Sequence, residues 1–207
     1  MTAIAVSSAR YIKLGRGGDR EAESLRDGVL RFGYREAPHD LCISGDWSGV
    51  WAVMKDIRGD AGAATRDVNQ IRTYYETDKS AILITFVGGL LYWCRPVGPV
   101  ELLADHSHRR QALDGWRNVS LGGTLLTADR LSGHLLKVQM FRGTICDVKP
   151  LDYLLRKLSD QLSPEVAARQ FRGQCQHLCG SSTDLSARLR RAATILDGQP
   201  AGRLSRP

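Results

Sequence analysis

Apolar and polar residues follow two different periods in the first half of the chain. Residues 11–14 and residues 29–34 alternate at every second position, which is the pattern of half-buried strands. Apolar side chains in residues 47–54 and in residues 63–75 recur at every third or fourth position, the spacing of one helix face. The first half is therefore predicted to combine short strands with helices.

After residue 80 the pattern changes to successive strands. Residues 81–87 are a nearly continuous apolar run, and residues 90–94 form a second one after Gly88-Gly89. A two-residue Gly-Gly loop suits the primed turns of a β-hairpin, and Pro96 and Pro99 then interrupt the second strand. The remaining runs predict strands at residues 100–104, 135–140 and 144–148, a strand with a polar loop at residues 112–126, and a short helical turn at residues 127–131.

Glycines connect the first strand to the first helix. The segment Gly15-Arg16-Gly17-Gly18 lacks the Gly-Lys-Ser/Thr ending of a phosphate-binding loop, so it is interpreted as a strand-to-helix turn. Asp19 is the expected N-cap of a helix through residue 25, and Gly28 is the residue expected to end it.

Length and composition predict one large domain with an appendage. The chain has 207 residues, of which 43% are hydrophobic, and this is ordinary for a globular protein. Residues 1–149 form the predicted domain. Residues 151–158 and the Ser163-Pro164-Glu165 helix start predict a helical extension over residues 150–197 that is rich in arginine, and residues 198–207 are expected to be a disordered tail.

The net charge favours a polyanionic partner. Lys and Arg number 29 against 22 Asp and Glu, a formal charge of +7, and each cation set against a phosphate can release a condensed counterion. No run approaches the roughly 20 apolar residues of a membrane span, so no membrane partner is expected. Residues 1–9 lack a basic start and a long apolar run, which predicts a cytoplasmic location.

The five cysteines indicate reduced thiols. Their number is odd and most of them stand alone in apolar runs. Cys175, His177 and Cys179 form one cluster, but a zinc site usually has four ligands, and two cysteines on one helix face are more often small core residues. No metal site and no cofactor are therefore predicted.

Aromatic residues beside guanidinium and amide groups are the candidate functional residues, because such side chains can grip a nucleobase and its phosphates. The candidates for a base pocket are Tyr34, Trp47, Trp93, Trp116 and Asn118. The candidates for contact with the nucleic-acid backbone are Thr65, Arg66, Asn69, Gln70, Arg72 and Arg117. We expect the rings of Tyr34 and Trp116 to converge on one hollow with a positive rim.

The order of these elements over residues 10–148 resembles the PUA-like superfamily, and within it the EVE and YTH branch. The resemblance implies an α+β fold, a PUA-like twisted β-barrel surrounded by helices, with a pocket for one base that is often methylated. It matches Tyr34 to an aromatic at the end of the second strand, although Trp is common there, and Trp116 to the tryptophan of a later loop. Residues 66–74 match a polar helix.

The function predicted from these features is a DNA-binding reader of a modified base. The base, with methylated cytosine or adenine as the expected form, is flipped into the aromatic pocket, and restriction or epigenetic recognition is the expected context. DNA is favoured over RNA as the partner, and no catalytic residue is assigned.

Two alternatives stay open. Asp147-Val148-Lys149 resembles the end of a metal-nuclease motif, and Asp105-His106-Ser107-His108 places two imidazoles beside an acid, so a metal-dependent nuclease acting on modified or foreign DNA is one of them. The other is a protein-interaction module that uses the face of Trp47 and Trp51.

Overall fold

The structure is a computed structural model, and it describes residues 6–161. The chain divides into two compact units, Met1–Gln161 and Leu162–Pro207. The second unit lies outside the described residues. The same holds for most of the predicted helical extension, for the predicted tail, and for the cluster of Cys175, His177 and Cys179.

The described part of the first unit begins with strands and helices, continues with the three consecutive strands β3 to β5, and ends with short helices around one further strand. Its strands are β1 (Ser8–Ile12), β2 (Val29–Phe32), β3 (Ala81–Val87), β4 (Leu90–Leu102), β5 (His108–Arg117) and β6 (Ile145–Asp147). Its helices are α1 (Glu21–Asp27), α2 (His39–Ser44), α3 (Trp47–Arg58), α4 (Ala61–Glu76), α5 (Gly133–Leu136) and α6 (Leu151–Leu158). Short 3₁₀ turns occur at Arg16–Gly18, Ala128–Arg130 and Lys137–Met140.

The six strands form one curled sheet in the order β2-β5-β4-β3-β1-β6. Strand β1 is parallel to β3, and the other neighbours are antiparallel. The predicted α+β class is confirmed as a mixed sheet with helices around it. Among the described residues the sheet is a half-barrel, with β2 and β6 as its two edge strands.

Both faces of the sheet are buried. On the first face, α3 and α4 place Val50, Met54 and Ile71 against the strands, and on the second face α5 and α6 contribute Leu135 and Leu154. Strand β3 serves both faces, because alternate side chains of a strand point to opposite sides. This double burial is why residues 81–87 are apolar at almost every position.

Local signals set the ends of the helices, and of the two predicted end residues Gly28 is confirmed. Asp46 accepts a hydrogen bond from Gly49 N at 2.9 Å and caps α3, and Asp60 does the same for α4 with Ala63 N at 2.5 Å. Gly28 ends α1 with φ of +65°. The expected Asp19 cap is wrong, because the Arg16–Gly18 turn delays the start of α1 to Glu21.

Two predicted strands differ from the structure. Residues 135–140 are helical, because Ser132 caps a turn by accepting from Leu135 N at 3.3 Å and Leu135 is fully buried. Strand β4 continues through Pro96 and Pro99 to Leu102, with an irregular register between Val97 and Glu101 that accommodates a missing donor. Helix α2 was not predicted.

Helix α6 belongs to the first unit. Leu154 and Leu158 are buried in the core of the second sheet face, so the boundary expected at residues 149 and 150 precedes an element that completes this core. No helix within residues 6–161 is both long enough and apolar enough to cross a membrane. Cys42, Cys94 and Cys146 are free thiols.

A basic cleft between the two edge strands

The curl of the sheet brings the end of β2 and the start of β6 to one cleft of about 450 Å³. Tyr34 follows β2 by two residues, and Thr144 directly precedes β6. We call this the Tyr34 cleft. It is lined by Lys13, Gly15, Arg16, Gly17, Gly33, Tyr34, Glu36, Arg58, Asp67, Arg142, Gly143 and Thr144.

The ring of Tyr34 is held at both ends. It packs against Phe32 with the ring centroids 5.0 Å apart, and its hydroxyl donates to Asp67 Oδ1 at 3.0 Å. Asp67 Oδ2 in turn accepts from Arg58 Nε at 2.6 Å. Burial, together with the Asp67 carboxylate, raises the pKa of Tyr34 well above its usual value. The phenol is therefore protonated at neutral pH and acts as a hydrogen-bond donor to Asp67.

The opposite wall is the segment before β6, and side chains from other elements hold it. Gln70 Oε1 accepts from Thr144 N at 2.5 Å and from Ile145 N at 3.4 Å. Lys13 donates from its backbone to Thr144 O at 2.8 Å and from Nζ to Phe141 O at 2.5 Å. A Cβ at Gly143 would lie 2.3 Å from Gln70 Oε1, so a side chain there would displace Gln70 from the two amides that it holds.

The floor of the cleft is the glycine turn after β1. Gly15 has φ of +87°, and a Cβ at this position would lie 1.9 Å from Asp19 Oδ1. Both the backbone conformation and the space therefore exclude a side chain at Gly15. The predicted strand-to-helix turn is confirmed, and it also lines the cleft.

The charges of the cleft favour an anionic ligand. Four cations, Lys13, Arg16, Arg58 and Arg142, face two carboxylates, Glu36 and Asp67. Arg58 is paired with Asp67, whereas Lys13, Arg16 and Arg142 make no ion pair within residues 6–161. A concave surface with unpaired cations concentrates negative ligands.

Of the five residues predicted for the base pocket, the structure places Tyr34 alone in this cleft. Trp116 lies at the other end of β2, where its Nε1 donates to Val29 O at 2.9 Å. Val29 and Tyr34 are separated by five residue steps, about 16 Å of extended chain. The expectation that the rings of Tyr34 and Trp116 converge on one hollow is therefore wrong.

The other three predicted pocket residues also lie elsewhere. Trp93 is buried in the second sheet face, donates from Nε1 to Val119 O at 2.8 Å, and has the Arg117 guanidinium 5.5 Å from its ring centroid. Trp47 packs edge-on to Tyr75, with centroids 6.4 Å apart. The backbone carbonyl of Asn118 accepts from Leu126 N at 2.9 Å, in the loop after β5.

Five of the six residues predicted for backbone contact lie along α4, and the sixth, Arg117, is the last residue of β5. Most of them already have partners. Thr65 accepts from Trp51 Nε1 at 3.0 Å and donates to Ala61 O at 2.8 Å. Gln70 supports the wall described above, Arg66 is exposed, and Arg117 lies over Trp93.

Asn69 and Arg72 line a different cleft of about 490 Å³, between α4 and the ends of β1 and β3. We call it the α4–β1 cleft. Its other lining residues are Ser7, Ser8, Arg10, Thr73, Glu76, Thr77, Asp78, Ser80 and Ala81.

The residues of the nuclease alternative are dispersed. Asp147 lies on the edge strand β6 and pairs with Arg10 at 2.8 Å. His108 is fully buried and stacks on His39 with centroids 5.6 Å apart, while His106 is exposed in the β4–β5 turn. Within the described part of the chain, no group of three or more His, Cys, Asp or Glu side chains is arranged to hold a metal ion.

Sequence reasoning missed most residues of the Tyr34 cleft. Lys13, Arg58, Asp67 and Arg142 come from four separate segments, and of these only Arg142, which follows Phe141, stands beside an aromatic residue in the sequence. The available signal was the recurrence of basic residues next to glycine, at Arg16 and at Arg142. When the chain is compared with models of protein families, with curated proteins and with solved structures, no match is found in any of the three.

Proposed function

We propose that this protein binds DNA and reads a modified base, which it receives in the Tyr34 cleft. One observation carries the proposal: a tethered tyrosine shares a cleft of about 450 Å³ with three cations that make no ion pair within residues 6–161. Small-molecule pockets commonly measure about 300 to 1,000 Å³, so the cleft is large enough for one nucleotide. The resemblance to PUA-like readers supports the same proposal, because it matches Tyr34 to a base-contacting aromatic.

Stacking on Tyr34 offsets part of the cost of extruding a base. Extrusion costs a few kcal/mol, and one base–aromatic contact contributes about 1 to 3 kcal/mol. Bases also stack on guanidinium planes, and Arg16, Arg58 and Arg142 line the same cleft. We therefore expect Tyr34 and an arginine of the same cleft to take the place of the pair of aromatic rings that the sequence suggests.

The polar groups of the cleft favour a base with an exocyclic amino group. The hydroxyl of Tyr34 donates to Asp67, which leaves its oxygen able to accept, and the carboxylates of Glu36 and Asp67 are acceptors. Cytosine and adenine offer N4 and N6 amino donors. A buried methyl group adds only about 0.8 kcal/mol, so selection of a methylated base depends on these hydrogen bonds to orient it.

Binding to a panel of oligonucleotides tests this function. Fluorescence anisotropy is measured with matched methylated and unmethylated DNA and RNA at two salt concentrations. We expect DNA to bind more tightly than RNA, affinity to fall steeply with salt, and one modified base to be preferred. Equal affinity for all members of the panel at both salt concentrations contradicts the proposal.

Substitution of Tyr34 locates the base site. Tyr34→Ala is expected to reduce the preference for the modified base by about 5-fold to 100-fold while salt-dependent binding persists, because stacking is lost and the cations remain. Tyr34→Phe keeps the ring and tests the hydroxyl alone. Tyr92→Ala is the matched control, because Tyr92 is half-buried and lines neither cleft. An equal loss in Tyr92→Ala would place the effect outside the cleft.

The same panel separates the nuclease alternative. Cleavage of an oligonucleotide on addition of Mg²⁺ or Mn²⁺, abolished by Asp147→Ala, would favour a nuclease over a reader.

A further inference from the structure

A cluster of arginines lies beside the Tyr34 cleft. Three guanidinium groups approach a single carboxylate oxygen, Asp105 Oδ2: Arg20 at 3.3 Å, Arg31 at 3.5 Å and Arg35 at 3.3 Å. They line a cavity of about 260 Å³, which we call the arginine pocket. The pocket shares Gly15, Arg16 and Gly33 with the Tyr34 cleft.

Arg31 is the buried member of the cluster. Its side chain is 8% exposed, and it reaches Glu23 at 3.6 Å and Asp105 at 3.5 Å. Charge-assisted hydrogen bonds are shorter, about 2.7 to 2.9 Å. The Nε of Arg31 is buried and has no hydrogen-bond partner among residues 6–161. The carboxylate contacts of the cluster, 3.3 to 3.6 Å for Arg31 and Arg35, are longer than strong charge-assisted bonds, so the cluster retains capacity for another oxygen ligand.

The position of Asp105 is set by its own turn. Its Oδ1 accepts from Ser107 N at 3.1 Å and from Ser107 Oγ at 2.5 Å, which leaves Oδ2 for the arginines. These hydrogen bonds and the nearby arginines lower the pKa of Asp105 to about 2. Three arginines with Glu23 and Asp105 leave one excess positive charge next to an open cavity.

We infer that the arginine pocket binds a phosphate group. The three guanidinium groups already converge on one carboxylate oxygen, Asp105 Oδ2, and a phosphate oxygen would be held by the same groups. Guanidinium groups present donors in a fixed fork that suits phosphate oxygens. The phosphate belongs to the DNA strand whose base occupies the Tyr34 cleft, and this identity rests on the proposed function. Arg31 and Tyr34 are three residues apart on the same strand end, about 10 Å, which is within the span of neighbouring nucleotides.

Replacing single phosphates of the bound DNA by neutral methylphosphonates tests the site. In the wild-type protein one position near the modified base is expected to lower affinity by about tenfold, because one charge-assisted contact is lost. In Arg35→Met, whose wild-type side chain is 56% exposed so that its replacement leaves the buried core intact, the same methylphosphonate should have a smaller effect, because one of the three guanidinium contacts is already lost. If the sensitive position is absent, or is equally sensitive in Arg35→Met, the inference is overturned while the reader function stands.

Asp105→Asn separates a ligand site from a structural ion-pair network. The amide oxygen can still accept from Ser107, and the competing negative charge is removed. We expect affinity for the same DNA to rise by about fivefold. If the arginines and carboxylates form only a structural ion-pair network, Asp105→Asn is expected to bind this DNA equally well or more weakly than the wild-type protein, and that result overturns the inference.

If the protein binds no DNA, the proposed function fails, and the phosphate site is then tested with free inorganic phosphate. Thermal unfolding is then compared in about 20 mM inorganic phosphate and in chloride of the same ionic strength. A Tm raised by about 2 °C or more in phosphate, and unchanged in Arg35→Met, supports the pocket as a phosphate site. Equal Tm values in the two salts overturn it.

Discussion

The Tyr34 cleft and the α4–β1 cleft have similar volumes, about 450 and 490 Å³, and α4 borders both. They differ in the pairing of their charges. In the α4–β1 cleft Arg10 pairs with Asp147 at 2.8 Å and Arg72 with Glu76 at 2.9 Å, and Asp78 accepts from Ser80 N at 2.8 Å. In the Tyr34 cleft three of the four cations have no carboxylate partner within the described residues.

The comparison shows that volume does not distinguish a binding site from a surface groove in this protein. Arg10 and Arg72 each have a carboxylate of their own and gain little from a ligand, since the ligand has to replace that partner. The arginine pocket differs, because three guanidinium groups share two carboxylates and one positive charge is left uncompensated. Unpaired cations around a concave wall attract an anion without that exchange. Asn69 and Arg72, two residues predicted for phosphate contact, lie in the cleft whose cations are already paired, and we expect them to contribute little.

Acid is expected to destabilise the fold that forms both clefts, because the buried His108 packs against α4, the helix that borders both. His108 stacks on His39 and packs against Tyr75 of α4. Burial, and then the neighbouring His39, lowers the pKa of His108 to about 4. In the unfolded chain the pKa of His108 is near 6.5, so between pH 7 and pH 5 this histidine becomes protonated in the unfolded state but not in the folded state. This costs about 2 kcal/mol of stability between pH 7 and pH 5, and the loss ends below about pH 4.

Urea unfolding at pH 7 and pH 5 measures this effect. His108→Phe should abolish most of the difference and leave stability at pH 7 nearly unchanged, because both ring nitrogens of His108 lack a partner among residues 6–161. His106→Asn, in the same turn but exposed, is the control. A pH difference that persists in His108→Phe would assign it to other groups.

Substitutions of two neighbouring residues of α4 test the walls of the two clefts separately. Gln70→Ala removes the acceptor of two backbone amides in the Tyr34 cleft, and we expect a loss of about 1 to 2 kcal/mol with weaker DNA binding. Asn69→Ala, on the α4–β1 cleft, should change stability by less than about 0.5 kcal/mol. Chemical denaturation and anisotropy measure both variants. Equal effects would show that the walls are not distinct.

Charge removal tests the electrostatic difference directly. Arg16→Gln with Arg142→Gln should weaken DNA binding by about tenfold and reduce the salt slope by about two, because two phosphate contacts are lost. Arg10→Gln with Arg72→Gln removes the same charge from the other cleft and should cost less than about threefold. Anisotropy across a salt series compares the two. A larger loss from the second pair would reverse the comparison.

Local periodicity was enough for most of the elements. Alternating or continuous apolar residues predict the strand β2 and the hairpin of β3 and β4, and apolar residues at every third or fourth position predict the helices α3 and α4. Gly28 predicts the end of α1. The strand predicted at residues 135–140 is wrong because so short a segment, with Lys137 and Gln139 between its apolar residues, fits a strand and a helical turn equally well. Only burial of Leu135 under the second sheet face decides between them.

The sequence by itself determined that the chain forms a mixed sheet with helices and carries excess positive charge, since both depend on neighbouring residues or on composition. Only the tertiary structure decided which side chains share a cleft. Tyr34 and Asp67 are 33 residues apart, Gln70 and Thr144 are 74 apart, and Trp116 reaches Val29 across 87. These contacts depend on which strands pair and on where α4 packs against the sheet, and no local pattern encodes either.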